Sequence, residues 1–71
     1  MLNQAIKYFR AAMEMTQHEL AERLGCDRVT ISHYEAGRVT PPLYMAQKMA
    51  RVFGITVDEL LNYEPEAPRA R

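Results

Sequence analysis

Apolar residues recur every three or four positions through residues 2–13, and this spacing is typical of an amphipathic helix. The repeating positions are Leu2, Ile6, Phe9 and Met13. Similar but shorter patterns predict helices over about 17–24, 28–36, from Pro41 or Pro42 to Phe53, and over 57–61. No segment shows the alternation of a β-strand, so the pattern predicts an all-α domain of five short helices.

Each predicted helix has a small set of residues that we expect to face the core. In the second and third helices these residues are Leu20, Ala21, Leu24, Ile31 and Tyr34. In the fourth helix they are Leu43, Ala46, Met49, Ala50 and Phe53. We expect most methionines, Met1 included, to serve core or interface packing.

The ends of the helices are marked by capping residues. Thr16 and Glu19 have the spacing of a capping box, in which each side chain bonds the backbone amide of the other residue. Thr56 and Glu59 repeat that spacing before the last helix. Glycines stand where three helices must end, because a left-handed residue without Cβ is favoured there; they are Gly25, Gly37 and Gly54.

Residues 16–37 contain two such helices joined by a tight turn. Gly25 ends the first of them, and Asp27 is placed to cap the second. Ile31 and the residue before the cap, Cys26, have the spacing of a hydrophobic staple. This arrangement predicts a helix-turn-helix whose second helix exposes a polar face.

Composition limits the possible functions. The 71 residues suffice for one small domain, and the formal net charge is zero. Zero net charge argues against binding to nucleic acid. However, basic residues outnumber acidic residues in the middle of the chain, and acidic residues cluster near its end. No apolar run reaches the length of a membrane span, no signal peptide is present, and the single cysteine fits a reducing environment. We therefore expect a cytoplasmic protein.

Motifs for catalysis or metal binding are absent from the sequence. It contains no glycine-rich phosphate loop and no nucleophile elbow. His18, His33 and Cys26 do not have the spacing of metal ligands. We expect no enzyme activity, no metal and no cofactor.

The residue order TQxELAxxLG, a short turn, TISxYExG, a proline-containing loop and GITxDELL resembles the Cro/CI (Xre) type of lambda-repressor-like helix-turn-helix regulators. The resemblance covers residues 2 to about 62. It implies a compact five-helix DNA-binding domain at 1–62, followed by a tail at 63–71 that we expect to be mobile.

The resemblance also implies roles for individual residues. Its base-reading positions correspond here to Arg28, Val29, Ser32 and His33. Its phosphate-binding positions correspond to Gln17, Thr30, Arg38 and Thr40. A salt bridge that some members form between the first and third helices corresponds to Arg10 and Glu35.

The chemistry of the base-reading positions fits their expected role. Arg28 has the geometry to bond guanine O6 and N7, and Val29 to contact a thymine methyl group. His33 offers a donor to a base or a phosphate. Against these assignments, each residue also has the simpler interpretation of an ordinary exposed side chain. Two positions depart from the family: Asp27 replaces the common Ser or Thr cap, and Pro42 replaces the usual Ser cap of the fourth helix.

The resemblance implies a sequence-specific transcriptional regulator, and we expect a repressor. Since one such domain contacts few bases, we expect a homodimer on a near-palindromic operator, with helix 3 in the major groove. Apolar residues that the core pattern does not use are candidates for the dimer contact: Leu61, Tyr63, Val52 and Tyr44. Two alternatives remain open, namely an antitoxin or other protein-interaction adaptor, and a domain that has kept the fold but lost DNA binding.

Overall fold

A computed structural model describes residues 2–64, and within them the chain forms five α-helices and no strand. The helices are α1 (Leu2–Ala12), α2 (Gln17–Leu24), α3 (Arg28–Ala36), α4 (Leu43–Phe53) and α5 (Val57–Leu61). The predicted all-α, five-helix architecture is therefore confirmed. The predictions for Met1 and for the tail beyond residue 64 lie outside the described residues.

The predicted helix caps are present. Thr16 Oγ1 accepts from the Glu19 amide at 3.0 Å, and Glu19 Oε1 accepts from the Thr16 amide at 2.8 Å. Thr56 and Glu59 make the same reciprocal pair. Gly25 ends α2 at a φ of 78°, a left-handed conformation in which a Cβ would be strained. The boundaries of α2 are thus fixed locally, by residues that lie close together in the sequence.

The end of α1 differs from the prediction. The helix stops at Ala12, and Met13, which was expected on its buried side, is 42% exposed. Glu14 adopts a φ of 58°, and the Met15 amide bonds the Arg10 carbonyl at 3.1 Å. This left-handed turn redirects the chain toward α2, so that Met15, and not Met13, enters the core.

One hydrophobic core joins all five helices. Its fully enclosed large side chains come from every helix of the domain: Ile6, Leu20, Leu24, Ile31, Met49 and Leu60. Helix α3 packs on both α1 and α2, whereas α4 packs mainly on α2, α5 and α1. In α3 only Ile31 and Tyr34 are buried in the core, and the side of the helix that carries Arg28 and Val29 is exposed.

The inward face of α4 was predicted incorrectly at its first residue. Leu43 is 63% exposed, while Met45 is 6% exposed and joins the core. Two residues advance a helix by about 200°, so Leu43 and Met45 lie on nearly opposite sides. The buried face has the predicted phase, because the other four residues predicted to face the core are buried: Ala46, Met49, Ala50 and Phe53. Leu43 and Met45 lie at the two edges of this face, and the packing of α4 buries only Met45.

Aromatic rings hold the segment after α5 against α1. Tyr63 stacks on Tyr8 with ring centroids 4.8 Å apart and meets Phe9 edge-on at 5.6 Å. Phe9 in turn stacks on Phe53 of α4 at 5.7 Å. None of the described helices has the length and hydrophobicity needed to cross a membrane.

Candidate nucleic-acid interface

A nearly buried ion pair connects α1 to α3. Arg10 Nε donates to Glu35 Oε2 at 2.6 Å, and Arg10 Nη2 donates to Glu35 Oε1 at 3.2 Å. The two side chains are 16% and 5% exposed, respectively. Arg10 Nη1 also donates to the Met15 carbonyl at 2.7 Å. These bonds compensate the Glu35 charge and fix the angle between the two helices.

Gln17 extends this pair toward the start of α3. Its Nε2 donates to Glu35 Oε1 at 3.0 Å, and its Oε1 accepts from Arg28 Nη1 at 3.3 Å. The two bonds together fix which end of the amide faces which neighbour. One Nε2 hydrogen remains for another acceptor. Polar side chains therefore form a continuous chain of contacts across α1, α2 and α3.

The outward residues of α3 form a surface that we call the reading surface; it consists of Arg28, Val29, Ser32 and His33. Arg28 and Val29 are exposed, Val29 to 51%, whereas Ser32 and His33 are half-buried. Ile31 and Tyr34 face the core from the opposite side of the helix. The structure thus brings the four sequence-predicted base-reading positions onto the outward side of α3.

The other residues that were predicted to bind DNA phosphates have different surroundings. Arg38 and Thr40 are exposed in the loop after α3, where the Arg38 amide bonds the His33 carbonyl at 3.0 Å. Thr30 donates its hydroxyl and its amide to Asp27 Oδ1, both at 2.9 Å. These two bonds, the amide first, lower the pKa of Asp27. The hydroxyl hydrogen of Thr30 is directed to its own helix cap in this structure.

A groove between α1 and α3 was not predicted from the sequence. It is open, has a volume of about 370 Å³, and is lined by Lys7, Arg10, Gln17, Ser32, Glu35 and Ala36. No role had been assigned to Lys7, because a lysine on an amphipathic helix resembles any solvated side chain. Within the described residues no cluster of histidine, cysteine or carboxylate side chains could hold a metal ion.

Comparison with known proteins assigns the family. A helix-turn-helix family model matches residues 6–60, which include most of α1, all of α2, α3 and α4, and most of α5. The chain belongs to the Cro/CI (Xre) type of helix-turn-helix family. It is a helix-turn-helix transcriptional regulator, and the family is one of transcription regulators, not of enzymes.

Relatives of similar length support the assignment. An uncharacterized HTH-type transcriptional regulator of Archaeoglobus fulgidus is 44% identical over 61 residues, covering 86% of this chain and 86% of the relative. The match therefore extends over most of both chains.

Solved structures share the fold. The N-terminal DNA-binding domain of SinR from Bacillus subtilis superimposes with a TM-score of 0.83 at 30% identity, covering 93% of this chain and 97% of that domain. SinR has also been solved in complex with DNA, with a TM-score of 0.80 at 30% identity, covering 87% of this chain and all of that one. A third structure contains SinR with the SinI protein (TM-score 0.83, 28% identity, 99% of this chain and 69% of that one).

Proposed function

We propose that this chain binds duplex DNA sequence-specifically, as a homodimer with α3 in the major groove, and represses transcription from a near-palindromic operator. The observation that carries the proposal is the position of Gln17, held between Glu35 and Arg28 at 3.0 and 3.3 Å. A base-reading residue and a phosphate-binding residue are thereby prearranged beside each other. Prearrangement lowers the entropy that must be lost on binding.

Base recognition falls to the reading surface. The Arg28 guanidinium is exposed at the first turn of α3 and offers the paired donors that match guanine O6 and N7. Val29, beside it and half-exposed, is suited to a thymine methyl group. His33 supplies a ring nitrogen one turn further along α3. Together they favour a half-site in which guanine and thymine lie close together.

Phosphate binding falls to residues that flank the reading surface. The unused Nε2 hydrogen of Gln17 is available to a phosphate oxygen on one side, and Arg38 and Thr40 lie in the loop on the other side. Thr30 reaches a phosphate only after its hydroxyl leaves Asp27. Such contacts position the protein along the duplex without reading its sequence.

A second copy of the chain is proposed because one α3 reads too few base pairs. Specific sites bury about 1,000 Å² of protein or more, which one small domain reaches only marginally. Three exposed residues in the loop before α4 and in its first turn form what we call the apolar surface; they are Val39, Leu43 and Tyr44, exposed to 50%, 63% and 63%. With Leu61 of α5 (45% exposed), this surface is the proposed dimer contact. Tyr63, by contrast, is engaged with Tyr8.

A salt series in a gel-shift assay tests the proposal. Binding sites are first selected from random DNA, and the selected site and a random duplex are then titrated at several salt concentrations. We expect a steep loss of affinity with salt on both duplexes and a preference for one near-palindromic sequence. Equal affinity for every duplex, or binding that salt does not weaken, would exclude a sequence-specific regulator.

A second candidate function is binding of a protein partner, as an antitoxin or adaptor. The zero net charge and the exposed apolar surface favour it, and so does the existence of a solved complex of SinR with another protein. An adaptor would bind DNA far more weakly than its partner. Measuring both affinities at one salt concentration distinguishes the two functions.

A further inference from the structure

The groove between α1 and α3 contains a cation that is not neutralised. Arg10 lies in the groove too, but its charge is compensated by Glu35 at 2.6 Å. Lys7, one helical turn before Arg10, is exposed and forms no ion pair with any residue in the described range 2–64. The net charge that an anion in the groove would encounter therefore comes from Lys7.

Hydrogen-bond donors lie along the same groove. Gln17 keeps one Nε2 hydrogen after its bond to Glu35. The Ser32 hydroxyl is half-buried in the groove and makes no side-chain hydrogen bond within residues 2–64. Ala36 lies one turn after Ser32, and its methyl group leaves the mouth of the groove open. A charge, two donors and free space are what a phosphate diester requires.

We propose that this groove binds a phosphate of the DNA backbone, with Lys7 supplying the charge and Gln17 and Ser32 supplying hydrogen bonds. The proposal rests on the proposed DNA-binding function and adds α1 to the parts of the chain that contact the duplex. It also gives Ser32 a role different from base reading. Since Arg10 and Glu35 neutralise each other, they form the floor of the groove and not its source of charge.

The contact has a measurable electrostatic signature. Each phosphate neutralised by a lysine releases counterions and adds about 0.9 to the slope of log K against log salt. Removal of the Lys7 charge should therefore lower that slope by about 1 per bound chain, to the same extent on specific and random duplexes.

Three variants of the full chain isolate this charge. Lys7→Gln removes it, Lys7→Arg retains it, and Arg51→Gln removes another exposed cation on α4, a helix that packs chiefly on α1, α2 and α5. Affinity for a random duplex is measured by fluorescence anisotropy over a salt series. Circular dichroism establishes that each variant has kept its helices. We expect a reduced slope for Lys7→Gln alone, with Lys7→Arg and Arg51→Gln matching the wild type.

The outcomes separate this inference from the function on which it rests. A wild-type chain that binds no duplex overturns both. A wild-type chain that binds with a steep salt dependence, while Lys7→Gln keeps the full slope, overturns the phosphate site and leaves DNA binding intact. Equal reductions in Lys7→Gln and Arg51→Gln would also overturn it, because they would reflect overall charge and not this groove.

Ser32 is tested separately. In the groove its hydroxyl contacts a phosphate, so Ser32→Ala should weaken binding to the selected site and to random DNA by the same factor. A loss confined to the selected site would instead assign Ser32 to base reading and would remove it from the proposed phosphate site.

Discussion

The reading surface on α3 and the apolar surface at the start of α4 differ in how their side chains are held. Arg28 of the reading surface is bonded to Gln17 of α2, which is in turn bonded to Glu35 of α3, so residues of two helices support its position. Leu43 and Tyr44 of the apolar surface are both 63% exposed, in a first turn without a side-chain cap. In the first surface Arg28 is held by a specific bond, whereas the side chains of the second surface are apolar and project into solvent.

This difference indicates what kind of partner each surface suits. A ligand recognised by hydrogen-bond geometry, such as a base edge, requires donors whose directions are set before binding. A second protein surface requires mainly apolar area and shape, which exposed Leu and Tyr side chains supply. The following predictions test whether the reading surface recognises DNA and whether the apolar surface binds a second protein chain. They begin with the largest expected effect.

Glu35→Gln should cause the largest change. It leaves the Arg10 guanidinium, only 16% exposed, without its counter-charge, and breaking such a pair costs about 3–5 kcal/mol of unfolding free energy. Urea unfolding measures the loss. The control is Glu22→Gln, in a pair with His18 that is more than two-thirds solvent-exposed on both sides, where we expect a change below about 1 kcal/mol. Similar effects for the two substitutions would mean that the nearly buried Arg10–Glu35 pair contributes no more to stability than an exposed pair does.

Arg28→Ala should weaken binding to the selected operator by about 1–3 kcal/mol and relax the preference at one base pair of each half-site. Arg38→Ala is the matched comparison, because it removes a proposed phosphate contact without removing the bond from Arg28 to Gln17, and it should weaken binding to all duplexes alike. Competition between operator and random DNA measures both effects. If Arg28→Ala reduced the two affinities equally, Arg28 would contact phosphates and not bases.

The sequence was sufficient to predict the structure where interactions between residues close together in the chain determine it. Thr16 and Glu19 are three residues apart, and their reciprocal bonds form as predicted because both partners belong to the same helical turn. The prediction for Leu43 was wrong because Leu43 lies at one edge of the buried face of α4, and only the packing of neighbouring helices determines whether an edge residue is covered.

The candidate site was predictable as a set of positions but not as a set of contacts. Arg28 follows its N-cap directly, so its exposure could be inferred from the helical phase of Ile31 and Tyr34. The bond from Arg28 to Gln17, by contrast, spans the turn between two helices and depends on their crossing angle. The groove beside Lys7 depends in the same way on how α1 and α3 pack, which no sequence spacing specifies.

Leu43→Glu should disrupt the apolar surface without unfolding the domain, because Leu43 contributes little to the core. A charge buried at a dimer contact is unfavourable, and we expect the dissociation constant of the dimer to rise about tenfold or more, equivalent to about 1.4 kcal/mol. Sedimentation equilibrium measures this constant. Met13→Glu places the same charge on another exposed apolar residue, 42% exposed and outside the proposed contact, and should leave the dimer intact. A wild-type chain that is monomeric at high concentration and binds its operator without cooperativity would assign the surface to a different partner.

The smallest effect is expected at Asp27, beside the reading surface. Its pKa is lowered by the Thr30 amide and hydroxyl, so the folded state holds the carboxylate more strongly than the unfolded state does. The resulting stabilisation is complete above the ordinary aspartate pKa and is lost as the pH falls through the lower folded-state value. Asn caps a helix about as well as Asp but does not titrate, so the stability advantage of the wild type over Asp27→Asn should disappear in acid. Urea unfolding from about pH 6 to pH 2 measures this difference in stability. A difference that stays constant over this range would mean that the bonds to Thr30 do not distinguish the two charge states of Asp27.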